Sequence, residues 1–219
     1  HATGGWAAFI GAYLLGARIG KFNKDGSANA VVGHNIPLAS LGVFILWFGW
    51  FGFNAGSTLS GMDFMGIGRV ALNTNLAAAA GSFTTMLIVW IMFGKPDLSM
   101  IMNGALAGLV AITAPCAFVS PVGAVIIGII AGFVIVFGVL FVDRLRVDDP
   151  VGAVAVHGFN GVWGTLAIGL FHLEKGLFYG GGTEQLVIQT IGVVCCVVFV
   201  LVTMFGVVYT IKQTIGLRV

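Results

Sequence analysis

The sequence predicts an all-α fold, a polytopic transmembrane helical bundle. Of its 219 residues, 58% are hydrophobic and 8% are charged, whereas soluble domains average about 25% charged residues. The apolar runs are continuous over helix length, unlike the alternating segments of about ten residues that are typical of membrane β-barrels. The 34 glycines favour spans that pack through small residues.

The first predicted span is too short to cross a membrane, whereas the second has full length. Residues 1–16 are apolar but shorter than the ~20 residues that a crossing needs. We therefore interpret them as the inner part of a span whose beginning precedes residue 1. After a polar loop, Asn35 and then Pro37 predict a helix start, with a capping residue followed by proline in the first turn. The second span is expected over residues 37–56.

Five further spans are predicted, which gives seven in all. Together they form one membrane domain over residues 1–219. The N-terminal part of that domain is interpreted as missing. The five further spans are expected at residues 73–93, 100–119, 122–142, 151–171 and 186–211. Pro115 and Pro121 bracket the end of the fourth span, and the charged loop DRLRVDDP precedes the sixth. A loop through residues 57–72 is expected between the second and third spans.

The basic residues predict the orientation of the bundle. Eight fall on one side of the predicted membrane: Arg18, Lys21, Lys24, Lys95, Arg144, Arg146, Lys212 and Arg218. Arg69 and Lys175 fall on the other side. The positive-inside rule then places the C-terminus in the cytoplasm. The net charge of +2 is small and scattered, so it gives no indication of nucleic-acid binding.

His157 is the first candidate functional residue. It lies about eight residues into the sixth span, ~12 Å along a helix that rises ~1.5 Å per residue, close to the midplane of a ~30 Å hydrocarbon core. An ionisable group at that depth is costly and indicates a function that requires a partner or a polar cavity. His1 is a second candidate, for which function and packing remain equal alternatives. His34 and His172 lie in loops and are expected to be solvated or capping.

Trp50, Phe53 and Ser57 share one face of the second span because they are spaced three and four residues apart. From the residues alone, an aromatic belt at the membrane interface is the favoured interpretation. The alternative is a cation port, since aromatic faces attract ammonium-type cations and a hydroxyl can accept one of their N–H bonds.

Two further polar residues have structural explanations that compete with a functional one. Asp149 precedes Pro150 at the start of the sixth span, where a carboxylate is stabilised by the helix dipole. Thr113 either lines a lumen or bonds back to its own helix. Asp143 and Asp148 are expected to pair with the nearby arginines.

Four stretches carry a resemblance to a known family: GHNIPLASLGVFILWFGWFGFNAGS, MNGALAGLVAITAPCAFVSP, RVDDPVGAVAVHGFNGVWG and TIGLRV. They resemble the ammonium transporter family (Amt/Mep/Rh), in particular its bacterial Amt branch, and the resemblance extends over essentially the whole chain. It implies spans five to eleven of an eleven-helix fold, that is, the second inverted half plus the last helix. It also implies homotrimers in the plasma (inner) membrane.

The resemblance also implies roles for the candidates. His1 and His157 match the twin histidines of the pore, which would relay protons, and Asp149 matches the acid found eight residues before the histidine. Phe53 matches a gate residue, and Ser57 matches the hydroxyl of the outer ammonium site.

Trp50 and Thr113 match positions close to the pore. The implied function is transport of ammonium or ammonia through a hydrophobic pore, and the implied partners are the lipid bilayer and a PII-type cytoplasmic regulator.

Two other functions are alternatives to transport. The first is an ammonium sensor of the same fold, coupled to a cytoplasmic signalling domain. The second is an intramembrane metalloenzyme, which is disfavoured because the sequence has no HExxH motif and no carboxylate at membrane depth. No enzymatic activity, cofactor or metal is expected.

Overall fold

The computed structural model describes residues 1–218, and this part of the chain is all-α, as predicted. Its main helices are α1 (Ala2–Leu15), α2 (Ile36–Gly56), α3 (Phe64–Phe93), α4 (Leu98–Thr113), α5 (Pro121–Arg144), α6 (Asn160–Phe171) and α7 (Glu184–Thr214). A π-helical turn, Val154–Phe159, leads directly into α6. A 3₁₀ turn, Leu177–Tyr179, lies in the loop before α7.

Five of the described segments are long and apolar enough to cross a membrane. They are α2, α3, α5, α7 and the continuous segment Val154–Phe171, which joins the π-helical turn to α6. Helices α1 and α4 are apolar but shorter. The prediction of a multi-pass membrane protein is therefore confirmed.

The third span begins earlier than predicted. The loop expected through residue 72 ends at Asp63, and α3 begins at Phe64 and runs for 30 residues. The Asp63 carboxylate accepts a hydrogen bond of 2.9 Å from the backbone N–H of Gly66, so it caps the helix. The polar residue Asp63, which was expected in a loop, therefore marks the start of a helix.

The fourth span ends earlier than predicted. Helix α4 stops at Thr113, before residue 119, because Pro115 has no backbone N–H to donate to the carbonyl oxygen of Ala111, one turn earlier. The fully buried Asn73 of α3 holds the turn that follows. Its side-chain amide donates hydrogen bonds of 2.9 Å to the carbonyl oxygens of both Cys116 and Val119.

The core lies where α3 meets α4 and α5 at backbone contact. A Cβ atom added to Gly108 of α4 would lie 2.2 Å from the carbonyl oxygen of Ala77, and one added to Gly128 of α5 would lie 2.3 Å from the same oxygen. Ala77 itself is fully buried. Small residues therefore allow two helices to pack against the same point of α3, as expected for close packing in a membrane.

Helix α1 crosses the π-helical turn and α6 just as closely. A Cβ atom added to Gly5 would lie 1.9 Å from the backbone nitrogen of Gly158. One added to Gly161 would lie 2.5 Å from the backbone nitrogen of Ala2. The two backbones therefore touch at two points, and no other residue type fits at Gly5 or Gly161 without separating the helices.

The loop after α1 is held by two ion pairs with the end of α5 and the loop that follows it. The Arg18 side chain donates hydrogen bonds of 2.8 and 2.9 Å to the two carboxylate oxygens of Asp148, and Lys21 pairs with Asp143 at 3.0 Å. The expectation that these acids pair with nearby arginines was wrong. The partners come from far along the chain, 130 residues away for Arg18, and no local spacing indicates them.

The same end of α1 is capped by the end of α7. The Lys212 ammonium donates a hydrogen bond of 2.8 Å to the carbonyl oxygen of Leu14. The Arg218 guanidinium donates to the carbonyl oxygens of Gly16 and Ala17 at 2.9 and 3.1 Å. These carbonyls lie at or just beyond the last turn of α1, where they lack helical partners, so cations are favoured there.

The Arg18–Asp148 pair generates a prediction about stability. The hydrogen bonds from Arg18 hold the pKa of the Asp148 carboxyl below its ordinary value. Asp148→Asn should lower the free energy of unfolding by about 1–3 kcal/mol, because charge-assisted hydrogen bonds are lost at a buried position. Thermal unfolding in detergent measures the change, and Asp143→Asn should cost less since its carboxylate is more exposed.

The pH dependence of that effect has a definite sign. Because the folded-state pKa of Asp148 is lowered, the stabilisation is complete above the unfolded-state pKa and is lost as pH falls through the folded-state pKa. The difference between wild type and Asp148→Asn should therefore shrink on acidification. A difference that stays constant down to the most acidic pH tolerated would contradict this account.

The glycine crossing generates a second prediction. Gly161→Ala should lower the free energy of unfolding by about 1–3 kcal/mol, since the added methyl group overpacks a backbone contact. A matched control is Gly192→Ala on α7, where an added Cβ atom meets nothing within 4 Å. That change should be neutral or stabilise by up to ~1 kcal/mol, because alanine favours helix more than glycine does. Equal effects of the two substitutions would contradict the role of the crossing.

Candidate functional site

The structure brings the two candidate histidines together. The Nδ1 atoms of His1 and His157 lie 3.3 Å apart, and the ring centroids are 5.4 Å apart with planes inclined by 22°. His1 immediately precedes α1, and the half-buried His157 lies within the π-helical turn. Two imidazoles that lie 156 residues apart in the sequence therefore form one pair.

The glycine crossing explains this spacing. Gly5 follows His1 by four residues, and Gly161 follows His157 by four residues. Each of these glycines packs against the residue that comes directly after the other histidine. The contact between the two segments is therefore reciprocal: each contributes one glycine and one residue that follows a histidine. The repeated H-x-x-x-G spacing is the sequence signal from which the crossing could have been predicted.

The π-helical turn has its own support from polar side chains. The Asp149 carboxylate accepts hydrogen bonds from the backbone N–H groups of Ala153 and Val154 at 2.9 and 2.7 Å. The side-chain amide of Asn160, a fully buried residue, donates to the carbonyl oxygen of Ala155 at 3.0 Å. Turns of this type often occur at functional sites. The capping interpretation of Asp149 therefore has direct support, while Asn160 was not singled out from the sequence.

Helix α2 forms an aromatic wall beside the histidine pair. The Trp50 indole stacks on His1 with ring centroids 5.3 Å apart and an angle of 16°, while Phe53 meets His1 edge-on at 6.0 Å. Trp50 is only 8% exposed. A buried indole that packs on an imidazole does not fit an aromatic belt facing lipid headgroups, so the belt interpretation does not hold for Trp50.

Ser57 lies one turn beyond Phe53 on the same helix. Its hydroxyl donates a hydrogen bond of 2.8 Å to the carbonyl oxygen of Phe53. Because the proton is used in that bond, the lone pairs of the exposed oxygen remain available as acceptors. The residue can therefore accept an N–H bond from a cation above Phe53.

Thr113 lies at the end of α4, behind the aromatic wall. Its hydroxyl donates a hydrogen bond of 2.7 Å to the carbonyl oxygen of Leu109 and accepts one of 2.9 Å from the indole N–H of Trp50. The structure therefore favours back-bonding over lumen lining, and it adds a contact with Trp50 that the sequence did not reveal.

The other two histidines lie outside this cluster. The Nδ1 atom of His172 accepts hydrogen bonds from the backbone N–H groups of Glu174 and Lys175 at 3.1 and 3.2 Å, so His172 caps its loop. His34 is exposed in the loop before α2. Within residues 1–218, no group of three or more His, Cys, Asp or Glu side chains is arranged to hold a metal ion.

Comparison with known proteins gives one consistent answer. Residues 1–219 match the sequence profile described as the Ammonium Transporter Family. The chain is 47% identical over 231 residues to ammonium transporter Amt2 of Archaeoglobus fulgidus, covering 100% of this chain and 49% of that protein. It is 35% identical over 242 residues to ammonium transporter 1 member 2 of Arabidopsis thaliana, covering 100% of this chain and 47% of that protein.

Solved structures agree with the sequence comparison. A structure described as a Sensor Amt Protein superposes with a TM-score of 0.94 at 41% identity, covering 100% of this chain and 54% of the other. Mep2 of Candida albicans superposes with a TM-score of 0.89 at 30% identity, covering 98% of this chain and 49% of the other. The chain spans about half the length of the curated relatives it matches. It belongs to the ammonium transporter family, a family of transporters and not of enzymes.

Proposed function

We propose that the intact protein transports ammonium across the membrane, as ammonia and a proton, by way of His1 and His157. The observation that carries this proposal is the Nδ1–Nδ1 distance of 3.3 Å between an imidazole at the start of α1 and one in the membrane-spanning segment Val154–Phe171. Residues 1–219 form part of one membrane domain in this proposal. The match of the family profile to all of these residues supports it.

The first step is recognition of the cation at the outer end of α2. Ser57 accepts one N–H bond through its free lone pairs, and the faces of Trp50 and Phe53 attract the positive charge. Hydrated potassium and sodium gain less there because they carry no N–H donor for the hydroxyl. Phe53 is 52% exposed on this chain, so its ring is free to stand across the path as a gate.

The second step is loss of the proton. Moving bare ammonium into a dry, low-dielectric passage costs on the order of tens of kcal/mol before compensation, whereas neutral ammonia avoids most of that cost. An imidazole titrates near physiological pH and can accept or return a proton. Two imidazoles in contact share one proton and titrate as a coupled pair. With the Nδ1 atoms facing each other, the Nε2 atoms are left to meet ammonia.

Asp149 supports this pair from the cytoplasmic end in our proposal. Its carboxylate caps the start of the π-helical turn that carries His157, and so fixes where that turn begins. Its negative charge favours a proton on the same segment. Thr113 contributes through the wall formed by Trp50.

The orientation is also part of the proposal. The end of α1, the end of α5 and the end of α7 are joined by contacts of Arg18, Lys21, Lys212 and Arg218, so these basic residues lie at one end of the bundle. The positive-inside rule assigns that end to the cytoplasm of a plasma (inner) membrane. A PII-type regulator would bind at this end, and homotrimeric assembly completes the proposal.

Replacement of His157 tests the transport role. In the intact protein, His157→Ala should lower the ammonium-evoked current by about tenfold or more, because a positioned acid–base group is lost. Currents are measured across a planar bilayer or in voltage-clamped cells. His34→Ala, in an exposed loop, serves as the control. An undiminished current with unchanged selectivity against potassium would refute the assignment, and wild-type protein that binds ammonium without any flux would favour the sensor.

Replacement of Ser57 tests the outer cation site separately. Ser57→Ala should raise the ammonium concentration for half-maximal current by about tenfold, since a hydrogen bond to a charged group is lost. The maximal current should change little. Thr58→Val is the matched control, because its hydroxyl also bonds back to the helix, to the carbonyl oxygen of Ala55 at 2.9 Å. Equal shifts for both variants would argue against a cation site at Ser57.

A further inference from the structure

We infer that Thr113 is a positioning residue for His1, acting through the indole of Trp50. The inference rests on the proposed function, because it assumes that His1 belongs to the proton-handling pair. It assigns Thr113 a role different from lining the passage. The residue would never touch the transported species and would act by fixing the wall against which His1 packs.

The hydroxyl of Thr113 is fixed in direction by its own helix. Its proton is committed to the carbonyl oxygen of Leu109, so the oxygen can act only as an acceptor towards other groups. Leu109 is fully buried within α4, together with its neighbours. The acceptor is therefore a short side chain, fixed by its own back-bond, on one of the most deeply packed helices of the bundle.

Trp50 has one hydrogen-bond donor, and it is used in the 2.9 Å bond to Thr113. The indole N–H is therefore not offered to a passing cation or to ammonia. What Trp50 presents to His1 is its flat face, stacked at 5.3 Å with an angle of 16°.

His1 has Trp50 on one side and His157 on the other, at 5.3 and 5.4 Å between ring centroids and with similar small angles. The position of His1 between these rings determines the Nδ1–Nδ1 distance. Because an aromatic face also stabilises a neighbouring cation, the same stack favours the shared proton on His1.

Three contacts in sequence therefore connect Thr113 to His157: Thr113 binds Trp50, Trp50 stacks on His1, and His1 contacts His157. Without the bond from Thr113, the buried indole N–H would lack a partner, and a donor in that state is costly. The indole would turn towards another acceptor and take its face away from His1. The structure predicts that this loss is felt in transport even though Thr113 lies two contacts from the pair.

The test compares three variants of the intact protein. Thr113→Val keeps the shape and removes the hydroxyl, whereas Thr113→Ser keeps the hydroxyl. Thr190→Val is the control, since Thr190 makes the same type of back-bond, to Leu186 at 2.8 Å, on the exposed face of α7. Two quantities are measured: the ammonium-evoked current and the ultraviolet resonance Raman band that reports hydrogen bonding of an indole N–H.

Thr113→Val should weaken the hydrogen-bonded indole signal and lower the current by about fivefold to tenfold, as expected from one unsatisfied buried donor. Thr113→Ser and Thr190→Val should keep both at wild-type values. A wild-type current in Thr113→Val with a freed indole N–H would overturn the inference, and so would an equal loss in Thr113→Ser. If Thr113→Val does not fold, Thr113→Ala takes its place, since it also removes the hydroxyl and keeps the indole, and a wild-type current there has the same consequence.

Failure of this inference is distinguishable from failure of the proposed function. If His157→Ala abolishes the current while Thr113→Val leaves it intact, the positioning role alone is wrong. If His157→Ala leaves the current unchanged, the histidine pair does not handle the proton and the proposed function itself fails.

Discussion

Backbone contact between α1 and the segment that carries His157 is the constraint on which the site depends. Gly5 meets Gly158, and Gly161 meets Ala2, at distances that exclude any side chain. The two histidines lie on either side of this crossing, so their 3.3 Å separation follows from where the backbones touch. The positions of the two imidazoles are therefore set by the packing of the helix backbones.

The rest of the fold keeps that crossing in place. At one end of α1, the indole of Trp50 packs on His1 and is itself held by Thr113 of α4. At the other end, cations from α7 cap the carbonyl groups of α1, and Arg18 binds the buried Asp148. Helix α1 has 14 residues. It is held by ring stacking at its start, by hydrogen bonds at its end and by the glycine contacts with the segment that carries His157.

The sequence predicted the helical membrane bundle because apolar length leaves a clear local pattern. It also singled out His157, which the structure places beside His1. The start of α3 was missed since Asp63 lies in a stretch that looks like a loop. The partners of Asp143 and Asp148 and the bond from Trp50 to Thr113 join distant parts of the chain, so no local spacing predicts them. The role of Asn160 was missed because a π-helical turn leaves no periodic signal.

The central claim is that His1 and His157 share a proton where ammonium is transported. Solid-state NMR of the intact protein with ¹⁵N-labelled histidine tests it most directly, by looking for coupling between the two Nδ1 nitrogens through a hydrogen bond. The account predicts a coupled pair whose signals shift together when ammonium is added. Two uncoupled histidine signals that titrate independently and ignore ammonium would contradict it.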